Sequence, residues 1–110
     1  MTETPRPKIA PEVLTATVWD AIKTVPGVVE LHRGPSLGKV LLERRGPVRL
    51  LDEETPPTLE VHLVVAAGQP IPAIAEEVHG TLRRFMASTL GMHQVVVRLY
   101  IDDIAEAPPA

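Results

Sequence analysis

A chain of 110 residues with 45% hydrophobic content is one domain's worth of sequence with enough apolar matter for a core, which excludes wholesale disorder. Eleven basic and fourteen acidic residues leave a net charge of −3; the pI near 5.8 is a poor match for the basic footprint of non-specific nucleic-acid binding. Cysteine is absent, which excludes disulfides, thiol nucleophiles and cysteine-ligated zinc, and no apolar run reaches the roughly 18–20 residues of a membrane span.

Residues 1–7, with Pro5 and Pro7, and residues 105–110, with Pro108 and Pro109, read as disordered tails around a single domain over 8–104. The first seven lack the basic-then-apolar layout of a signal peptide. Pro11 then opens a helix, at the position where a missing N–H costs nothing. Leu14, Val18, Ala21, Ile22 and Val25 form its apolar stripe, and Pro26-Gly27 ends it. Trp19 falls about 130° from the centre of that stripe at 100° per residue, which makes it either a boundary residue under a neighbouring segment or an anchor for a partner.

Val28 to Leu31 is a short strand-like run. Leu37 to Leu51 is ambiguous: Lys39–Glu43 and Val48–Leu51 flank Arg44-Arg45-Gly46-Pro47 as in a hairpin, and a short helix over Leu37 to Arg45 fits nearly as well. The acids and prolines of 52–57 make a loop. Leu59, Val61, Leu63 and Val65 then alternate with Glu60, His62 and Val64, the period of a half-buried strand. Pro72 opens a second helix with the stripe Ile71, Ile74, Ala75, Val78, Leu82, Phe85, Met86 and Thr89, and Gly91 stops it. In the last strand, Val95, Val97, Leu99 and Ile101 alternate with Gln94, Arg98, Tyr100 and Asp102. The order predicts a two-layer α+β sandwich: a mainly antiparallel sheet with two helices on one face.

Chemistry-bearing patterns are few. His32, His62, His79 and His93 show no helical ligand spacing and no H-E-x-x-H pattern, although His32 and His62 fit a two-histidine corner on neighbouring strands. Ser36 and Ser88 lie in no nucleophile elbow. The acid pairs Glu53-Glu54, Glu76-Glu77 and Asp102-Asp103 are adjacent residues that point apart. Neither G-x-G-x-x-G nor a P-loop is present. Trp19, Phe85 and Tyr100 are the only aromatics besides histidine, too few for a base-stacking sheet. No catalytic residue, cofactor or metal is expected from these residues.

Two surfaces stand out instead. The sheet face opposite the helices would present His62 and Val64 from one strand and Val96, Arg98 and Tyr100 from another, beside Glu60; with Trp19 these are the candidate partner surface. On the second helix, Gly80 lies on the outward side with Ala73 and Ala87 seven residues away in each direction. A two-fold axis at Gly80 would bring Glu76 onto Arg84 and Glu77 onto Arg83, the pattern of an antiparallel homodimer. The same acids early and bases late also suit the dipole of a solitary solvated helix.

Three segments taken together resemble one family. Lys8-Ile9-Ala10-Pro11-Glu12-Val13, Val25-Pro26-Gly27-Val28-Val29 and the block Val61 to Ile104 are similar to the alkaline shock protein family, the envelope stress-response proteins first described in Gram-positive bacteria. Within the block the resemblance lies in the V-x-L-V-V strand, Gly68, Ile71-Pro72, Ala75, Val78, Gly91-Met92, the alternation from Val95 to Ile101, and Asp103-Ile104. Between His32 and Thr58 the chain departs from the family, with a compact Leu- and Arg-rich stretch in place of a longer glycine-rich one. The resemblance implies a cytoplasmic, non-enzymatic interaction or scaffold protein in cell-envelope homeostasis. It implies protein partners, a membrane-anchored one among them, a tendency to self-associate, and recruitment to the inner face of the membrane without insertion. A second reading, a regulatory module binding nucleic acid through Arg44, Arg45 and Arg49, stays open, with the acidic pI against it.

Overall fold

The computed structural model describes residues 8–32 and 46–106. Helix α1 spans Pro11–Ile22, strand β1 Val28–Leu31, β2 Val48–Leu51, β3 Thr58–Ala66, helix α2 Ile71–Leu90 and strand β4 Val96–Ala105. The chain is an α+β fold in which both helices pack on one face of a four-stranded sheet.

Apolar side chains three and four positions apart build the helical layer. Leu14, Val18 and Ile22 are the buried positions of α1, and Ile74, Val78, Leu82 and Met86 those of α2. They meet the inward residues of β3: Leu59, Val61, Leu63 and Val65 all have no exposed surface. Burying one such side chain contributes about 1.5–3 kcal/mol, so this seam is the main source of stability. Gly91 closes α2 at φ 69°, a left-handed turn that lets the Met92 N–H reach back to the Met86 carbonyl at 2.9 Å.

Helix α1 stops at Ile22, before Pro26-Gly27: Lys23 caps it, and the Val25 N–H turns back to the Ile22 carbonyl at 2.9 Å, so that Val25 still enters the core from the loop. Thr89, expected in the α2 stripe, is exposed, and Phe85 is only partly buried against the core. Trp19, off the stripe on the 100° wheel, is half-buried and packs against the core cluster, in keeping with the boundary alternative. A large ring reaches around the helix to apolar neighbours that a wheel of Cα positions ignores.

The sheet is mixed. β1 pairs antiparallel with Leu63 to Val65 of β3, and β2 pairs antiparallel with Thr58 to Val61. These two short strands lie end to end along one edge of β3. They meet at His62, whose N–H donates to Pro47 and whose carbonyl accepts from the His32 N–H. β4 runs parallel to the whole of β3 on the other edge, from Val96 opposite Thr58 to Ala105 opposite Ala66. The longest pairing is thus parallel, and α2 supplies the crossover connection that parallel neighbours need. β4 also takes in Ala105, one residue into the stretch read as a tail. Of the anticipated hairpin, Val48–Leu51 is a strand; Lys39–Glu43, Arg44 and Arg45 lie outside the described residues, as do 1–7 and 107–110.

One glycine fixes the junction between the layers. Gly27 sits at φ +94°, and a Cβ there would stand 2.5 Å from Ile74 Cδ1 and 2.9 Å from Gln69 Oε1. Only glycine allows the turn into β1 to pass this close under the start of α2.

Candidate functional site

With the helices on one side, the other face of the sheet carries the outward side chains of β2, β3 and β4. Two cross-strand groups organise it. In the first, Glu60 on β3 lies between its register partners Arg49 on β2 and Arg98 on β4. Arg49 Nη1 is 3.4 Å from Glu60 Oε1 and Arg98 Nη1 is 3.5 Å from Oε2. The Glu60 side chain is 12% exposed, so its charge is held in place between two cations and not merely solvated.

The second group lies one step along the strands. His62 on β3 stacks on its register partner Tyr100, with ring centroids 4.6 Å apart and planes 9° from parallel. Asp102 is the extra residue of a bulge in β4, since Ile101 pairs with Leu63 and Asp103 with Val64. The bulge re-aims Asp102 across the face of the sheet. Its Oδ2 accepts from Nδ1 of His62 at 2.7 Å and from Nδ1 of His32, at the end of β1, at 2.9 Å. One carboxylate oxygen thereby ties three strands together. Burial works to raise the pKa of Asp102; the hydrogen bonds from His32 and His62 and the charge of those imidazoles outweigh it, holding the carboxyl below its ordinary value.

In its neutral form an imidazole that donates through Nδ1 keeps Nε2 as an acceptor. Both Nδ1 atoms are engaged with one carboxylate oxygen, and among the described residues no group of three or more His, Asp or Glu side chains is placed to hold a metal. The two-histidine corner exists as a hydrogen-bonded clip. His79 lies on α2 and His93 in the loop before β4.

The candidate partner residues divide by exposure. Val96 at 42% and Tyr100 at 38% present apolar surface, and Arg98 is exposed beside them. His62 is half-buried under its contacts. Val64 is on the outward side but only 5% exposed, so it offers a partner almost no area. Arg49, one of the three arginines of the nucleic-acid reading, is engaged with Glu60; Arg44 and Arg45 lie outside the described residues.

On α2, Ala73, Glu76, Glu77, Arg83 and Arg84 are exposed, and Gly80 and Ala87 are half-exposed between them. No ion pair joins these acids to these arginines within the helix; Arg84 Nη2 instead lies 3.4 Å from the Thr81 hydroxyl. A cleft of about 220 Å³ between the starts and ends of the helices and β2 is lined by Leu14, Leu50, Leu90 and Met92 with Lys8 and Asp52. That is below the roughly 300–1,000 Å³ of ordinary small-molecule sites.

The sequence pointed to His62, Arg98 and Tyr100 as one face but missed Asp102 as its hub. A signal was present. In Ile101-Asp102-Asp103-Ile104 the apolar alternation slips by one residue, the mark of a bulge. Compared with protein-family models, with curated proteins and with solved structures, the chain matches none. No helix among the described residues is long and apolar enough to cross a membrane.

Proposed function

We infer that this chain is a non-enzymatic interaction protein that works through the outward face of its sheet. The observation that carries this reading is the combination of exposed Val96 and Tyr100 with an underlying framework already tied across strands, Arg49–Glu60–Arg98 and His32–Asp102–His62. A surface whose side chains are ordered before binding loses little rotamer freedom on contact, which favours recognition of a folded partner. The resemblance of three segments to the alkaline shock protein family supports placing that contact in envelope homeostasis, on the cytoplasmic side, with a protein partner bringing the chain to the membrane's inner face. The sequence pattern around Gly80 offers α2 as an alternative self-association surface, which the same reading does not require.

A photoreactive side chain at Val96 tests it. Irradiation in native cells should give a small set of discrete adducts, and the same probe beside Tyr100→Glu should lose them. Adducts that survive this charge, or a uniform smear of abundant proteins, would overturn the reading.

A further inference from the structure

The far edge of β4 is a ten-residue strand with β3 on one side and no paired strand on the other among the described residues. Its hydrogen-bonding phase is fixed by two contacts. The Val96 N–H donates to Pro57, and the Ala105 carbonyl accepts from Ala67, both toward β3. In the regular stretch before the bulge, the backbone groups of Val97, Leu99 and Ile101 therefore face away from β3, in the row that templates a further strand.

The side chains of that stretch are arranged symmetrically about Tyr100. If a second copy of β4 lies antiparallel with Tyr100 at the two-fold axis, Leu99 of one copy exchanges both backbone bonds with Ile101 of the other. Tyr100 then faces its own copy as a non-hydrogen-bonded pair, the closer of the two antiparallel spacings. Arg98 of each copy stands opposite Asp102 of the other. The row Arg49, Glu60, Arg98, which alternates in charge across one sheet, then continues into the carboxylate of the second. Asp102 spends Oδ2 on the two histidines, so Oδ1 is open to that arginine among the described residues. The bulge at Asp102 ends the ladder, because Asp103 is again in phase with β3.

The geometry points to a homodimer in which two β4 strands join edge to edge at Tyr100, merging two four-stranded sheets into one continuous sheet with a common outward face. The occupant is a second copy of this chain, selected over an arbitrary strand by the reciprocal Arg98–Asp102 pairs. This interface uses neither the α2 face nor a foreign partner. Its failure leaves the outward-face reading standing, and a uniform smear of adducts from the Val96 probe, which overturns that reading, leaves this dimer standing.

The chain has no cysteine, so single-cysteine variants report the register cleanly. A non-hydrogen-bonded antiparallel pair sits within disulfide reach. Mild oxidation of Tyr100→Cys should give a covalent dimer, whereas Gly80→Cys, at the centre of the α2 alternative, should give none above background. By sedimentation equilibrium of the purified full chain, Arg98→Asp should weaken the dimer at least about tenfold, the scale of close charge reversal at an interface. Adding Asp102→Arg to it should recover most of the loss. Because that variant also removes the histidine clip, Tyr100→Lys and Tyr100→Phe form a second pair: lysines facing one another should give a monomer and phenylalanines should keep the dimer, both with wild-type circular dichroism. A wild-type chain that remains monomeric up to about 1 mM, the limit of useful affinity, overturns the proposal. So does cross-linking through Gly80→Cys instead of Tyr100→Cys, or a dimer indifferent to Tyr100→Lys.

Discussion

The imidazole of His62 lies flat on the ring of Tyr100, 4.6 Å between centroids and 9° from parallel, while its Nδ1 is held by Asp102 at 2.7 Å. Stack and hydrogen bond together fix both the plane and the tautomer of the ring. Such pairs contribute about 0.5–1.5 kcal/mol beyond the area they bury. A double-mutant cycle of His62→Ala and Tyr100→Ala, read by urea unfolding, should return a coupling in that range, and Tyr100→Phe should leave it intact. A coupling near zero would mean that the two rings are merely adjacent.

Asp102 gives the protein a defined acid response. Its pKa is lower in the folded chain than the roughly 3.9 of an unfolded aspartate. A depressed carboxyl contributes stability that is complete above the unfolded value and is lost as the pH falls through the folded one. Wild type should therefore melt at a higher temperature than Asp102→Asn near neutrality. The two midpoints should converge as the pH drops from about 4 toward 2. A gap that stays constant across that window would assign the difference to packing instead of charge.

Gly27 and Gly68 separate backbone strain from steric contact. Both have positive φ, +94° and +89°, but a Cβ on Gly27 meets Ile74 at 2.5 Å and one on Gly68 meets nothing within 4 Å. Gly68→Ala should cost about 1–2 kcal/mol, the left-handed penalty alone. Gly27→Ala should cost clearly more, because Ile74 is 4% exposed and its Cγ1 must also move. Equal losses in chemical denaturation would show that the junction yields without strain.

Gly80 distinguishes two uses of α2. A Cβ at this position meets only Arg84 Nη1, at 3.4 Å, so the monomer has room for alanine. Gly80→Ala should stabilise the isolated domain by about 0.5–1 kcal/mol through helix propensity. If α2 self-associates, the same change should weaken association, as should reversal of Arg83 and Arg84 to Glu, with Glu76 and Glu77 reversed to Arg restoring it. Stabilisation with unchanged sedimentation would leave the glycine without a role at an interface.

The residues alone determined what is periodic along the chain. The buried positions Leu14, Val18, Ile22, Ile74, Val78, Leu82 and Met86, and the inward set of β3, follow from spacings of three to four and of two. So do the two-layer class and the left-handed stop at Gly91. These features depend on neighbours within a turn or a strand, and local sterics with apolar burial decide them.

The tertiary structure decided everything that depends on which segments lie side by side. The parallel pairing of β4 with β3, the placing of β1 and β2 end to end on one edge, and the choice for Trp19 between boundary residue and free anchor are outcomes of packing between distant segments. The candidate site is the clearest case. His32 and Asp102 are 70 residues apart. They meet only because one bulge shifts β4 by a residue and turns a carboxylate across β3. Alternation in the sequence says which way a side chain points from its own strand; only the closed sheet says what it finds there.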